Sequence, residues 1–221
     1  MCFKGLINKG TGTKINLGGA DFGAVQSTVS GAAIVLPAIE IGQIINEGSL
    51  VSIVTGGARF STLITKNATI NLGGIKFGAL INKGTGTKIN LAGISFGSIQ
   101  NLADATEITL VNDEFSDLAN SGTGPNTRID ILGGRFSSLT NSGNGVGLVR
   151  VAGAAFGAVR NDGNSVSLID VTGGSEANVL VNDGNGVTIV FAAGGGDDVF
   201  VNDASCDTLH GNGVILSLIH I

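Results

Sequence analysis

The stretch Ile7-Asn8-Lys9-Gly10-Thr11-Gly12-Thr13-Lys14-Ile15-Asn16-Leu17 recurs unchanged at residues 81–91, an offset of 74 residues. Self-similarity at a fixed offset is the mark of a stacked repeat architecture, in which each unit is too small to bury its own apolar face and is buried by its neighbours. Four coils of 17–21 residues fill that offset. Extending the same frame in both directions places one polar turn residue per coil at Asn8, Ser27, Asn46, Thr65, Asn82, Asn101, Asn120, Asn141, Asn161, Asn182 and Asn202. Nine of these eleven positions are Asn.

Within a coil, apolar residues stand two apart, as at Ile15 and Leu17 or Ile89 and Leu91. That is the period of a strand with one face on a core. A helical repeat would need apolar residues three and four apart over ten or more positions, and glycine pairs such as Gly18-Gly19 would break it. The frame also aligns Phe22, Phe60, Phe77, Phe96, Phe115, Phe136 and Phe156, with Ile41 substituting once, so seven of the ten Phe share one column. The expected fold is therefore all-β: a single-stranded parallel β-helix (β-solenoid) of about eleven coils, right-handed, with residues 1–215 forming one domain. Stacked coils about 4.8 Å apart would make a rod about 50 Å long. Its interior would hold a Phe column, Ile and Leu columns, and an Asn column whose amides bond to one another up the stack.

Glycine sets the rest of the composition. There are 37 Gly, 2 Pro and no Trp or Tyr in 221 residues. Without a strict Gly-X-Y triplet this is not collagen, and 43% hydrophobic residues exclude a disordered low-complexity chain. Gly10, Gly48, Gly84, Gly122, Gly143, Gly163 and Gly184 each follow the frame position by two residues, which reads as a corner needing positive φ. The pairs Gly56-Gly57, Gly73-Gly74, Gly133-Gly134 and Gly173-Gly174 read as turns or points of close coil approach.

The net charge of −5 hides an asymmetry. Residues 1–100 carry eight of the twelve Lys and Arg and three acids, and the remainder carries fourteen acids and four Arg. A rod with opposite charge at its two ends can attract its own kind end to end. A nucleic-acid groove, with clustered cations between aromatics, is not present. Cys2 and Cys206 make neither a disulfide framework nor a metal spacing. No apolar run reaches the length of a membrane span, and residues 1–10 do not read as a signal peptide.

Residues 193–201, Ala-Gly-Gly-Gly-Asp-Asp-Val-Phe-Val, resemble the calcium-binding nonapeptide G-G-x-G-x-D-x-U-x of the RTX (haemolysin-type) proteins in all but the first position. Nine residues further on, Asp207 and Leu209 repeat the spacing of Asp198 and Phe200, while Ser205 replaces a glycine. The resemblance implies a calcium site in an RTX-like terminal coil over 193–213, with Asp198 and Asp207 as oxygen ligands. The other reading makes 193–201 simply the next coil, since residues 173–181 align with it and lack the Asp. Catalysis on a sugar polymer, which other parallel β-helices perform, would need two facing carboxylates. The densest acidic trio before the C-terminal segment is Asp113, Glu114 and Asp117, whose local reading is a solvated turn.

The chain as a whole resembles the β-helical shafts of bacterial adhesins. That resemblance implies a structural or adhesive segment of a larger secreted or cell-surface protein, with no enzymatic activity, no nucleic-acid partner, no membrane insertion, and end-to-end self-association as its interaction. Polysaccharide binding or cleavage and a calcium-stabilised secretion module are the alternatives. The last six residues, Leu216-Ser217-Leu218-Ile219-His220-Ile221, read as the translation of CTGTCTCTTATACACATC, a transposon-derived sequencing adapter. They are expected to be foreign to the natural protein.

Overall fold

Each coil brings two short runs in which β-branched and Leu side chains alternate with polar or small ones, the composition that packs best on a pleated, half-buried surface. Lys88–Ala92 shows the outcome: Ile89 and Leu91 are buried, while Lys88, Asn90 and Ala92 point out. In a computed structural model of the chain, the described residues are 2–3, 6–16, 21–28, 30–37, 40–47, 51–56, 59–66, 68–73, 76–173, 179–192, 199–203, 208–212 and 217–218. Among them every strand pairing is parallel, and the strands form two sheets of thirteen and eleven strands, each in chain order. Each coil gives one strand to each sheet, except that Cys2–Phe3 and Leu6–Asn8 both pair with Asp21–Ser27 and Ser217–Leu218 extends the first sheet alone. The molecule is a parallel β-solenoid.

The hydrogen-bonded register confirms the column frame. Asn82 pairs with Asn101, Asn101 with Asn120, Asn120 with Asn141, Asn141 with Asn161, Asn161 with Asn182 and Asn182 with Asn202. Thr65 stands below Asn82, and Asn8 beside Ser27. The Phe register is continuous from Phe22 through Ile41 and Phe60 to Phe156. It also takes in Phe3, which pairs with Phe22. From Phe77 to Phe156 the rings lie parallel, with centroids 4.8 to 5.2 Å apart.

In the first sheet the alternation breaks once per strand. In Glu114–Asn120, Phe115, Leu118 and Asn120 are buried, and both residues between Phe115 and Leu118 are exposed. The extra outward residue bends the strand, so the Phe column and the Leu column sit on two sides of a corner. Eight of these strands, from Asp21–Ser27 to Ala155–Asn161, run seven residues. Beyond Phe156 the column has no further Phe, and Val179–Asn182 and Val199–Asn202 run four. Among the described residues the seven-residue strand thus recurs over about eight turns, slightly fewer than the eleven coils of the sequence frame. Near the C-terminal end Phe191 of the second sheet packs on Phe200 of the first, with centroids 5.8 Å apart, and fills the core there. Ser217–Leu218 pairs with Val201 and Asn202 at the edge of the first sheet.

The glycines two residues past the Asn column do not serve the purpose assigned to them from sequence. None of the described ones has positive φ. The left-handed column lies two residues further on, at Gly12, Gly31, Gly86, Gly124, Gly145 and Gly186. Two coils fill it with Ala105 (φ 53°) and Ser165 (φ 55°). Gly122, Gly143, Gly163 and Gly184 are required for close approach instead: a Cβ on any of them would fall closer than 3.0 Å to a carbonyl oxygen one coil below. The Gly133-Gly134 pair serves both needs, with φ of 72° and 87° and no room for a Cβ on either.

Candidate functional site

A buried amide costs free energy unless its donors and acceptor are satisfied, and the Asn column satisfies them in series. The Nδ2 of Asn82, Asn101, Asn120, Asn141, Asn161 and Asn182 each donates to the Oδ1 of the next Asn, at 2.6 to 2.7 Å. The same Nδ2 groups donate to the carbonyl two residues on, at Gly84, Ala103, Gly122, Gly143, Gly163 and Gly184. In four of these coils the N–H two residues on returns a bond to the Asn Oδ1. The column is therefore a register device, closed to outside ligands.

A groove of about 830 Å³ runs beside the Phe column, across five coils. Its wall is the outward row Lys76, Ser95, Glu114 and Arg135, and it is also lined by the column from Phe77 to Phe156, 3 to 6% exposed, and by small residues such as Ser116 and Ser137. A smaller depression of about 480 Å³ on the second sheet includes Lys88, Glu107, Arg128 and Asp130. Both of its carboxylates are held in ion pairs: Glu107 with Lys88 at 2.8 Å, and Asp130 with Arg150 in a two-point contact at 2.7 and 2.8 Å. The Asp130 carboxylate raises the Arg150 pKa above its ordinary value, first through that hydrogen bond and then through charge.

The acidic trio does not converge. Asp113 is 2% exposed, and its two carboxylate oxygens accept the N–H groups of Ile94 at 2.9 Å and Val111 at 3.0 Å. The solvated turn expected from sequence is corrected here, because the coil below supplies a donor that draws this carboxylate inward. Burial pushes the Asp113 pKa up against the pull of the two backbone bonds. Asp117 points to the outer face and accepts from Ser138 Oγ at 2.6 Å. Glu114 alone of the three lines the groove, and among the described residues it is the groove's only carboxylate.

Asp198 and Asp207, the calcium candidates, lie outside the described residues. Among the described residues no three His, Cys, Asp or Glu side chains gather as a metal site, and no helix is long and apolar enough to cross a membrane. Asp104, on an exposed turn, accepts from Thr123 N at 2.7 Å and Thr123 Oγ1 at 2.8 Å, and these bonds hold its pKa below the ordinary carboxylate value. Sequence reasoning missed the burial of Asp113. Its signal was Asn112-Asp113 standing where other coils carry Gly93-Ile94 or Gly133-Gly134.

The geometry defines the class, a parallel β-solenoid with an interior Asn ladder. Compared with known proteins, the chain matches no family model, no curated protein and no solved structure.

Proposed function

We propose that this chain is a structural and adhesive scaffold, a segment of a larger secreted or cell-surface repeat protein that plays the part of a β-helical adhesin shaft. The observation that supports it is the uninterrupted pairing of both sheets along the stack, backed by buried Asn and Phe columns. Each coil is held by its neighbours through two strand ladders and several side-chain columns, so stability accumulates along the axis and the outer rows are free to vary. Such an object keeps a fixed length and displays surfaces. Small-angle scattering of the purified chain should give a rod about 50 Å long. Protease shaving of intact source cells should release it. Scattering from a sphere, or full protection from protease on intact cells, would sink the reading.

A second reading, binding of an acidic polysaccharide, is favoured by the groove. Lys76 and Arg135 stand three coils apart along it, with Ser95 and Glu114 between them. Calorimetric titration with uronic-acid polymers tests this, and loss of the heat signal in Arg135→Ala would support it. Among the described residues the groove has a single carboxylate, and hydrolysis needs a facing pair. The calcium-module reading rests on residues 193–213 alone. A melting temperature that is the same in calcium and in chelator would remove it.

A further inference from the structure

We propose that the outer face of the first sheet is an interface between two copies of this chain, packed side by side and antiparallel. This does not depend on the scaffold reading. The residues before and after the Asn column form two outward rows along the stack. In the N-terminal half these rows hold Ile64 and Ile81, half-buried, and Lys66 and Lys83, exposed. In the C-terminal half they hold Val181 and Val201, and Asp183 and Asp203. Between the halves the rows carry Ala119, Ser121, Thr140 and Ser142, flanked by Gln100 and Leu102 on one side and by Arg160 and Asp162 on the other. One row is thus apolar in the Ile64 and Ile81 coils and in the Val181 and Val201 coils, and the row beside it changes sign along the stack.

A two-fold axis that lies in the plane of the face, crosses the stack and passes between the Asn120 and Asn141 coils lays each row on itself in reverse. Lys83 then meets the partner's Asp183, and Lys66 the partner's Asp203. Ile81 meets the partner's Val181, and Ile64 the partner's Val201. The next outward row agrees: Ala79 and Thr62 come opposite the partner's Val179 and the partner's Val199, small against branched. Coil spacing is the same in both halves, so one register makes these pairs together; it also sets Leu102 opposite the partner's Asp162, the one mismatch in the charged row. Glu47, the acid in the basic half of the row, lies one coil outside these eight, level with the partner's Ser217–Leu218 strand. Arg160 faces Gln100 and is already held between Asp162 and Asp183 of its own chain. Parallel side-by-side packing would instead set Lys against Lys and Asp against Asp. Three rows over eight coils cover about 500 Å² per copy, or about 1,000 Å² in all, the lower bound for a specific interface.

The test is the oligomeric state of the full chain by sedimentation velocity, joined to zero-length carbodiimide cross-linking read by mass spectrometry. A dimer weakened by salt, with Lys83 linked to Asp183, is the expected result. The two residues are five coils apart in one chain, about 24 Å, so that link can form only between copies. Lys83→Asp should weaken the dimer at least tenfold, and Lys83→Asp combined with Asp183→Lys should restore it, which a folding defect would not allow. A monomer at every salt concentration, a dimer indifferent to Lys83→Asp, or links joining only first-coil to last-coil residues such as Lys9 and Asp203 would each overturn the proposal.

Discussion

Asn120 donates its side-chain amide to Oδ1 of Asn141 at 2.7 Å, in a pair only 2% and 0% exposed. Asn120 is also held from below by Asn101 Nδ2 and bonds both the N–H and the carbonyl of Gly122. Removing it leaves a donor, Asn101 Nδ2, without this partner below and an acceptor, Asn141 Oδ1, without it above, in a site that excludes water. An unmade buried bond costs about 1–3 kcal/mol, so Asn120→Ala is expected to destabilise the fold by about 3 kcal/mol or more. Gln100→Ala, an exposed position one coil away, should cost less than about 0.5 kcal/mol. Urea unfolding followed by circular dichroism measures both, and equal costs would show that the ladder contributes nothing beyond an ordinary surface contact.

Two glycines in neighbouring roles should respond differently to the same methyl group. At Gly143 a Cβ would collide with the Gly122 carbonyl, and backbone cannot move aside without parting the coils. At Gly86 a Cβ meets nothing within 4 Å, and only the φ of 72° resists it. Gly86→Ala should therefore cost about 1–2 kcal/mol, and Gly143→Ala more than about 3 kcal/mol, at the upper end of overpacking effects. Chemical denaturation of the two variants decides the order. The reverse order would mean that the corner is limited by backbone shape and not by coil separation.

The contrast between those glycines marks how far the residues alone could be read. Columns of identical side chains were legible because a parallel stack repeats one environment per coil, so Asn120, Asn141, Phe115 and Phe136 announce themselves by spacing. Phe3 escaped because the frame was anchored on Asn8, after the point where Phe3 enters the sheet. The two classes of glycine look alike in sequence, since a residue without Cβ answers both a positive φ and a carbonyl pressed against it. Asp113 was read as solvated because its burial depends on the N–H of Ile94, nineteen residues earlier. The Lys and Asp rows likewise emerge only when the hydrogen-bond register aligns Lys83 with Thr65 and Asp203 with Asn182.

Ala105 and Ser165 occupy the left-handed column that other coils give to glycine. Their Cβ atoms press on the following carbonyl, a strain of about 1–2 kcal/mol. Glycine would relieve it and lose about 0.4–1 kcal/mol through the freer unfolded chain. Ala105→Gly and Ser165→Gly should each raise stability, by about 0.5–1 kcal/mol on this balance. Thermal and urea melts test it together, and a loss of stability in both variants would show that the neighbouring coils have absorbed the strain.

Asp113 should leave a pH signature with a definite sign. Its folded pKa is raised by burial above the ordinary 3.8, so between that value and the folded one the native state holds more protons than the unfolded chain. The contribution of Asp113 to stability is then complete below pH 3.8 and declines as the pH rises through the folded pKa. Asp113→Asn removes the titration while keeping one acceptor for Ile94 or Val111. Unfolding free energies of the two proteins should therefore differ most in favour of the wild type at acid pH, with the gap narrowing as the pH rises. Other carboxylates cancel in this difference. Asp104 shifts the opposite way, since its bonds to Thr123 favour the charged form, and Asp104→Asn should give a gap that widens with pH. Urea midpoints collected from acid to neutral pH decide the matter. A gap for Asp113→Asn that grows with pH would mean that the two backbone N–H bonds outweigh the cost of burying its charge.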